Sequence, residues 1–299
     1  MHPLRTLALT CLLAAPALAA DALRVVATTA DLGAIAAAVG GDAVEVTTLA
    51  RAAEDPHFVD AKPSFIRTLN RAQVLIEGGA ALEAGWLPPL LDGARNTKLA
   101  PGAPGRVVAS RDVALRDVPS ALDRAMGDIH PYGNPHFLLD PANAKTVAAE
   151  IAAALCAVDG ARCAGYRSGA DGFRAAIDAK LPEWQRTLAP ARGTKVVTYH
   201  KDYDYFAARF GLDVLGNLEP KPGIPPSPTH LAELVPRMVA AKARLVLVEP
   251  FRERQTADFV AGKTEAKVVV LPIMPTGSGP DAYVAMINED VRRVAEALR

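Results

Sequence analysis

Short apolar segments typical of buried β-strands alternate with helical segments along nearly the whole chain. Residues 23–29 read LRVVATT, a continuous apolar run of the kind found in parallel strands that are covered on both faces. A helical segment follows at residues 31–41, where Asp31 can cap the first turn and two glycines can end the last. Strands that alternate in this way with helices predict an α/β fold.

The alternation occurs twice and is interrupted once by a longer helical segment. The first half is expected to contain further strands at residues 44–50, 73–79 and 106–110, and helices at residues 63–72 and 141–155. From Ala164 to Leu188, aromatic and aliphatic side chains recur every three, four or seven positions, which predicts one amphipathic helix in spite of Pro182. The second half restarts with strands at residues 194–200, 213–219, 244–250 and 266–272, separated by helices, and ends in a helix at residues 279–299. The predicted architecture is therefore two α/β lobes with mainly parallel sheets, joined by one long backbone helix.

The N-terminus has the form of a secretory signal peptide. Arg5 precedes an apolar run at residues 7–18, and the segment closes with the small-residue end Ala17-Leu18-Ala19. The run is too short to cross a bilayer, and the residues before Cys11 do not resemble a lipoprotein site. The expected organisation is a signal peptide at 1–20, an N-terminal lobe at 21–163, a linking helix at 164–190 and a C-terminal lobe at 191–299. We expect a soluble, exported protein.

Charge and cysteine content narrow the class of protein further. The 33 basic and 33 acidic residues give a formal net charge of zero, which argues against a nucleic-acid partner. Once the signal peptide is removed, Cys156 and Cys163 remain, and two cysteines seven positions apart in an exported chain favour a local disulfide that closes a turn. Two free buried thiols are the alternative. We expect a monomer.

Three histidines fall where open parallel sheets bind ligands, beyond the carboxyl ends of strands or at the start of a helix. His57 follows the strand at 44–50, and His200 ends the strand at 194–200. His136 lies between a proline-containing turn and the helix that begins at Pro141. If the two lobes face each other, the three imidazoles can meet in the cleft. Neutral imidazoles suit Zn²⁺, whereas Mn²⁺ would favour more oxygen ligands.

A fourth ligand is expected to be a carboxylate or a water molecule. Glu249, at the end of the strand at 244–250, is the first candidate, although it could equally be an internal hydrogen-bonding partner. Other possible carboxylates are Asp281, Asp202 and Asp55. His130 could be a second metal contact or a loop residue, and the second interpretation is favoured. His230, in the first turn of a predicted helix, is expected to be structural.

Four segments resemble motifs of the periplasmic binding proteins of ABC-type zinc and manganese importers. EDPHFVDAKPS and NPHFLLDPANA resemble the first and second metal-ligand motifs of that family. VTYHKDYDYFAARFGL resembles the third, in which a strand ends in histidine before an aromatic helix. LVLVEPFRERQTADFVA resembles the strand and helix that follow and that contain a glutamate. The resemblance extends over essentially all of the mature chain and includes the single long helix between lobes.

The resemblance implies a solute-binding protein that captures a divalent transition metal in the interlobe cleft and delivers it to an ABC-type permease in the inner membrane. Zn²⁺ is expected before Mn²⁺ or Fe²⁺, with His57, His136 and His200 as ligands, a periplasmic location and no enzymatic activity. The chain departs from the family at Pro272, where many members carry an aspartate ligand, so Glu249 or water is expected in the fourth position. Only GDIHPYGNPH stands where many zinc receptors carry a long histidine-rich loop.

Two other functions remain open from the sequence. A zinc-dependent hydrolase could use the same three histidines with an open water position and a nearby glutamate as base. A receptor for a metal chelate would need a wider cleft lined by arginine or aromatic side chains.

Overall fold

The structure is a computed structural model that describes residues 21–120 and 130–299. The predicted signal peptide at residues 1–20 lies outside these described residues. The N-terminal half contains β1 (Leu23–Ala27), α1 (Ala30–Gly40), β2 (Val44–Thr48), α2 (Pro63–Arg71), β3 (Val74–Glu77), α3 (Leu87–Ala94), β4 (Arg106–Val108) and α4 (Pro141–Val158). The helix α5 (Cys163–Leu188) follows. The C-terminal half contains β5 (Lys195–Thr198), α6 (Asp204–Phe210), β6 (Asp213–Asn217), α7 (Pro228–Ala241), β7 (Leu245–Val248), α8 (Arg254–Gly262), β8 (Lys267–Val270) and α9 (Ala282–Ala297).

Each half is built on a four-stranded parallel sheet. The strand orders are β2-β1-β3-β4 and β6-β5-β7-β8, so the two halves repeat one topology. In the first sheet Ala27 pairs with Thr48 on one side and Ile76 on the other, which brings the carboxyl ends of three strands to the same edge. The predicted fold class, two α/β lobes with parallel sheets and a long helix, is confirmed.

Helix α3 was not predicted from the sequence. It begins Leu87-Pro88-Pro89, and prolines are usually read as helix breakers. Here the prolines fall in the first turn, where their fixed φ suits a helix and no intrahelical N–H bond is lost. Pro182 lies deep inside α5, and that helix nevertheless runs without interruption, as predicted.

Helix α5 packs against both halves of the molecule. It contacts α1 and α4 of the first half and α9 of the second, and it buries Tyr166, Phe173, Ile177 and Trp184. These side chains belong to one hydrophobic cluster that contains residues from both sheets. Separating the halves would therefore expose a shared core, which restricts hinge motion between them.

A disulfide joins the end of α4 to the start of α5. Cys156 and Cys163 are bonded, so the predicted local disulfide is confirmed. It closes the turn through which the chain enters α5. Within the two described ranges, no helix is both long and apolar enough to cross a membrane.

Two glycines of α5 should respond in opposite directions to alanine. A Cβ on Gly169 would lie 2.2 Å from the carbonyl oxygen of Val39 in α1, so Gly169→Ala forces the helices apart and should lower the free energy of unfolding by about 1–3 kcal/mol. A Cβ on Gly172 meets no atom within 4 Å, so Gly172→Ala should raise it by about 0.5–1 kcal/mol through helix propensity. Urea denaturation measures both, and equal effects would contradict the close approach of α1 and α5.

Candidate metal centre

Three imidazoles from the two halves of the chain meet in the cleft. One ring nitrogen from each of His57, His136 and His200 lies within 4.8 Å of the others, and no other group of potential metal ligands of this kind occurs in the part of the chain that the structure describes. The ring centroids are 5.1 to 5.5 Å apart. Zn–N bonds of about 2.0–2.1 Å place ligand nitrogens about 3–4 Å apart, so a small ring adjustment would suffice for one ion.

A turn beyond β2 holds His57. The Nδ1 of His57 lies 2.7 Å from Asp55 Oδ1, and the backbone N–H of His57 donates to the same oxygen at 3.0 Å. Trp86, packed in the core, donates its indole N–H to the carbonyl of Pro56 at 2.9 Å. The ring is therefore oriented by a carboxylate, and its Nε2 is left to face the other imidazoles.

Backbone and side-chain hydrogen bonds hold His136 and His200 close to each other across the cleft. The backbone N–H of His136 donates to Asn134 Oδ1, and the amide of Asn134 donates to the carbonyl of Lys201 at 2.9 Å. The hydroxyl of Thr198, at the end of β5, donates to the carbonyl of His200 at 2.6 Å. Loops from the two lobes thus fix each other directly beside the rings.

Glu219 orients His200 and was missed by the sequence reasoning. Glu219 Oε2 lies 2.7 Å from His200 Nδ1, and the carboxylate is almost completely buried. Carboxylates of this kind fix the tautomer of a ligating histidine and raise its basicity. Asp55, considered above as a fourth ligand, is paired in the same way with His57. A signal was present, because Glu219 ends the strand predicted at residues 213–219, and that strand lies beside the strand that leads to His200.

Asp202 and Glu249 form a buried carboxyl pair next to His136. Asp202 Oδ1 lies 2.8 Å from His136 Nε2, but the ring N–H is not directed at it, and neither carboxylate has a hydrogen-bond donor among the described residues when both are ionised. Burial, followed by the charge of Asp202, raises the pKa of Glu249 well above its usual value. Burial acts the same way on Asp202, but His136 and His200 hold the pKa of Asp202 well below its usual value. The pair therefore holds a proton more tightly on Glu249 than on Asp202.

The remaining candidate ligands and the remaining histidine lie outside the group of three imidazoles. Glu249, fully buried after β7, is outside the group of three imidazoles, and its role as fourth ligand stays a prediction. Asp281 is exposed at the start of α9. The Nε2 of His230 lies 2.9 Å from the carbonyl oxygen of Asn217, and this contact fits the structural role predicted for His230.

His130, favoured above as a loop residue, lies against the imidazole cluster. Its Nε2 is 3.1 Å from the Nε2 of His57. Burial, together with the neighbouring histidines, lowers the pKa of His130 to about 3, so its ring is neutral at physiological pH. The contact joins positions that are 73 residues apart in the chain, and it favours the alternative that was open from the sequence, a place beside the metal ligands. His130 also lines a cavity of about 510 Å³ that reaches His136 and His200 and includes Lys201.

Orphaned polar atoms support a cation at this position. The Nε2 of His136 is buried and makes no well-directed hydrogen bond in the described ranges. Such groups require an explanation, and a bound ion is one of the few available. A set of nitrogen donors backed by carboxylates fits a divalent transition metal. A larger cavity of about 620 Å³, beside α3, includes none of these histidines.

Comparison with known proteins shows the family to which the chain is related. The sequence profile of the family described as zinc-uptake complex component A, periplasmic (ZnuA), matches residues 25–297. The high-affinity zinc uptake system protein ZnuA of Brucella abortus (strain 2308) is 30% identical over 168 residues, which is 55% of this chain and 48% of that protein. The match therefore spans about half the length of that relative. The protein of the same name from Yersinia pestis is 28% identical over 275 residues, 86% of each chain.

Solved structures show the same fold. The crystal structure of a zinc-bound ZnuA deletion mutant matches with a TM-score of 0.79 at 21% identity, and the match covers 93% of this chain and 98% of that chain. At this level of identity the likeness establishes the fold, and the family match rests on the sequence profile.

Glu249→Gln tests where the buried proton lies. The glutamine amide can donate to Asp202 without ionising. Because folding raises the pKa of Glu249, the stability that this group contributes is complete below its ordinary pKa of 4.5 and is lost as pH rises towards the folded value. The variant has no such loss, so its unfolding free energy relative to the unsubstituted protein should rise as the pH increases above 4.5, by about 1.4 kcal/mol for each pH unit up to the folded pKa. Urea denaturation of metal-free protein measures the difference, and a difference that is constant with pH would contradict the assignment.

Proposed function

This chain belongs to the ZnuA family of periplasmic zinc-uptake components, and on that basis we propose that it captures a divalent transition metal, zinc first, between its lobes and delivers it to an ABC-type permease in the inner membrane. The observation that carries the proposal is the meeting of three imidazoles, contributed by both lobes, within reach of one ion. The metal is the cargo of the protein.

In the proposed complex, His57, His136 and His200 bind the ion, each through one ring nitrogen. Asp55 and Glu219 hold the other nitrogen of His57 and His200, which supports binding through Nε2 of both rings. Nitrogen donors favour Zn²⁺ over Mn²⁺, which prefers oxygen, and Fe²⁺ is also less favoured. Glu249 as fourth ligand would have to turn away from Asp202.

The function proposed is transport without turnover, and the protein is proposed to act as a monomer in the periplasm. Three histidines and a water molecule also occur in catalytic zinc sites, so a zinc-dependent hydrolase would use the same three ligands. Membership of a family of uptake components supports the receptor instead. The shared core along α5 supports release of the cargo through small shifts of loops and ligands.

Removal of single imidazoles tests the proposed ligands. Protein purified from the periplasm should contain about one zinc ion per chain by elemental analysis. His57→Ala, His136→Ala and His200→Ala should each weaken zinc binding by at least about 100-fold, beyond the loss typical of changes around a ligand. His230→Ala is the matched control, because its ring contacts Asn217 outside the cluster, and it should keep its full zinc content. Unchanged zinc content in all three variants would contradict the proposal.

Zinc affinity should fall in acid, because metal and proton compete for the same imidazole nitrogens. Burial would lower the pKa of His200, but Asp202 and Glu219 hold it above the ordinary value of 6.5, so a proton competes there first as pH falls. The dissociation constant should therefore begin to increase above pH 6.5 and continue to increase as the pH falls further. Competition with a fluorescent chelator at several pH values measures it, and a constant affinity across this range would exclude imidazole ligands.

A further inference from the structure

We propose that Arg252 is a clasp between the lobes that positions two of the metal-binding imidazoles at once. Arg252 lies between β7 and α8, and its guanidinium lies within 4.0 Å of three carboxylates, of which that of Glu249 is the most distant. One terminal nitrogen is 3.2 Å from Asp55 Oδ2, and the other is 3.4 Å from Glu219 Oε1. This inference rests on the function proposed above.

Asp55 and Glu219 each use one carboxylate oxygen for a histidine and the other for Arg252. Asp55 uses Oδ1 for His57 and Oδ2 for Arg252. Glu219 uses Oε2 for His200 and Oε1 for Arg252. The result is a continuous chain of contacts from His57 through one guanidinium to His200.

This chain of contacts crosses the cleft. Asp55 and His57 belong to the N-terminal half, whereas Arg252, Glu219 and His200 belong to the C-terminal half. The planar guanidinium of arginine presents several fixed N–H donors and can serve two carboxylates together, which the single ammonium of lysine cannot do in the same geometry. Arg252 therefore links the orientation of an imidazole in one lobe to that of an imidazole in the other.

The surroundings of Arg252 strengthen the link. Its side chain is 20% exposed, against 15% for Asp55 and 4% for Glu219, so solvent screens these contacts only in part. The guanidinium carbon lies 5.3 Å from the ring centre of Tyr199 and 5.5 Å from that of Phe251, which restricts its position. Loss of the guanidinium would leave two shielded carboxylates without their shared cation.

The clasp should act mainly on metal release. Without Arg252, each histidine keeps its own carboxylate, but the two lobes lose the contact that holds those carboxylates together. The ligands could then separate more easily once the metal is bound. We therefore expect the rate of zinc dissociation to increase more than the rate of association decreases.

Three variants of the full mature chain test the proposal. Arg252→Gln removes the charge, and Arg252→Lys keeps the charge without the planar fork. Arg254→Gln is the matched control, because Arg254 is 55% exposed and pairs with Asp258 on the surface of α8. Zinc affinity and dissociation rate are measured by chelator competition. Arg252→Gln should raise the dissociation constant about 10- to 100-fold, and Arg252→Lys should raise it by a smaller factor. Arg254→Gln should have the dissociation constant of the unsubstituted protein.

Two further measurements separate positioning from a general structural role. The visible absorption spectrum of Co²⁺-loaded protein reports ligand geometry, and it should change in Arg252→Gln while the far-ultraviolet circular dichroism does not. In a double-mutant cycle with Asp55→Asn, the two substitutions should be clearly non-additive, because they remove the same contact. Additive effects, or a lower melting temperature with an unchanged cobalt spectrum and zinc dissociation rate, would overturn the clasp.

The outcomes distinguish this inference from the proposed function. If the unsubstituted protein binds zinc, the histidine variants lose it and Arg252→Gln keeps the original affinity and dissociation rate, only the clasp is wrong. If the unsubstituted protein binds no zinc, the proposed function and the clasp both fail. If Arg252→Gln does not fold, Arg252→Lys decides the matter, since an unchanged zinc dissociation rate in that variant would contradict the need for a planar fork.

Discussion

The packing of α5 against both lobes is the constraint on which the metal centre depends. Its buried face joins α1 and α4 to α9 through one continuous core, so the two sheets cannot separate without exposing apolar surface. The loops at the cleft are thereby held at short range before any metal arrives. Imidazoles from distant parts of the chain can then bind one ion with little further loss of conformational entropy.

Charge balance explains how so many carboxylates are tolerated in the cleft. Asp55 and Glu219 are compensated by Arg252 and by the rings that they orient. Burial and the charge of Asp202 raise the pKa of Glu249, which favours its neutral form next to Asp202. Buried charges that lack a partner are costly, so a divalent cation at the three imidazoles would complete the compensation. The same groups that orient the ligands thus also favour occupation by a cation.

The sequence predicted those features that depend on local pattern. Apolar runs such as LRVVATT indicated buried parallel strands, and the positions of His57, His136 and His200 at the ends of elements indicated a shared cleft. Features that depend on spatial neighbours were not visible. Glu219 matters because β6 lies beside β5, and His130 contacts His57 across a long stretch of chain. Helix α3 is short and contains two prolines, which are compatible with a helix only because they lie in its first turn.

The central claim is that imidazoles from both lobes bind one ion. Anomalous X-ray diffraction from crystals of the zinc-loaded protein, recorded at the zinc absorption edge, tests it most directly. The account predicts one strong peak in the cleft, about 2.0–2.1 Å from a ring nitrogen of His57, His136 and His200. A peak at any other position, or a peak in contact with histidines of one lobe alone, would contradict it.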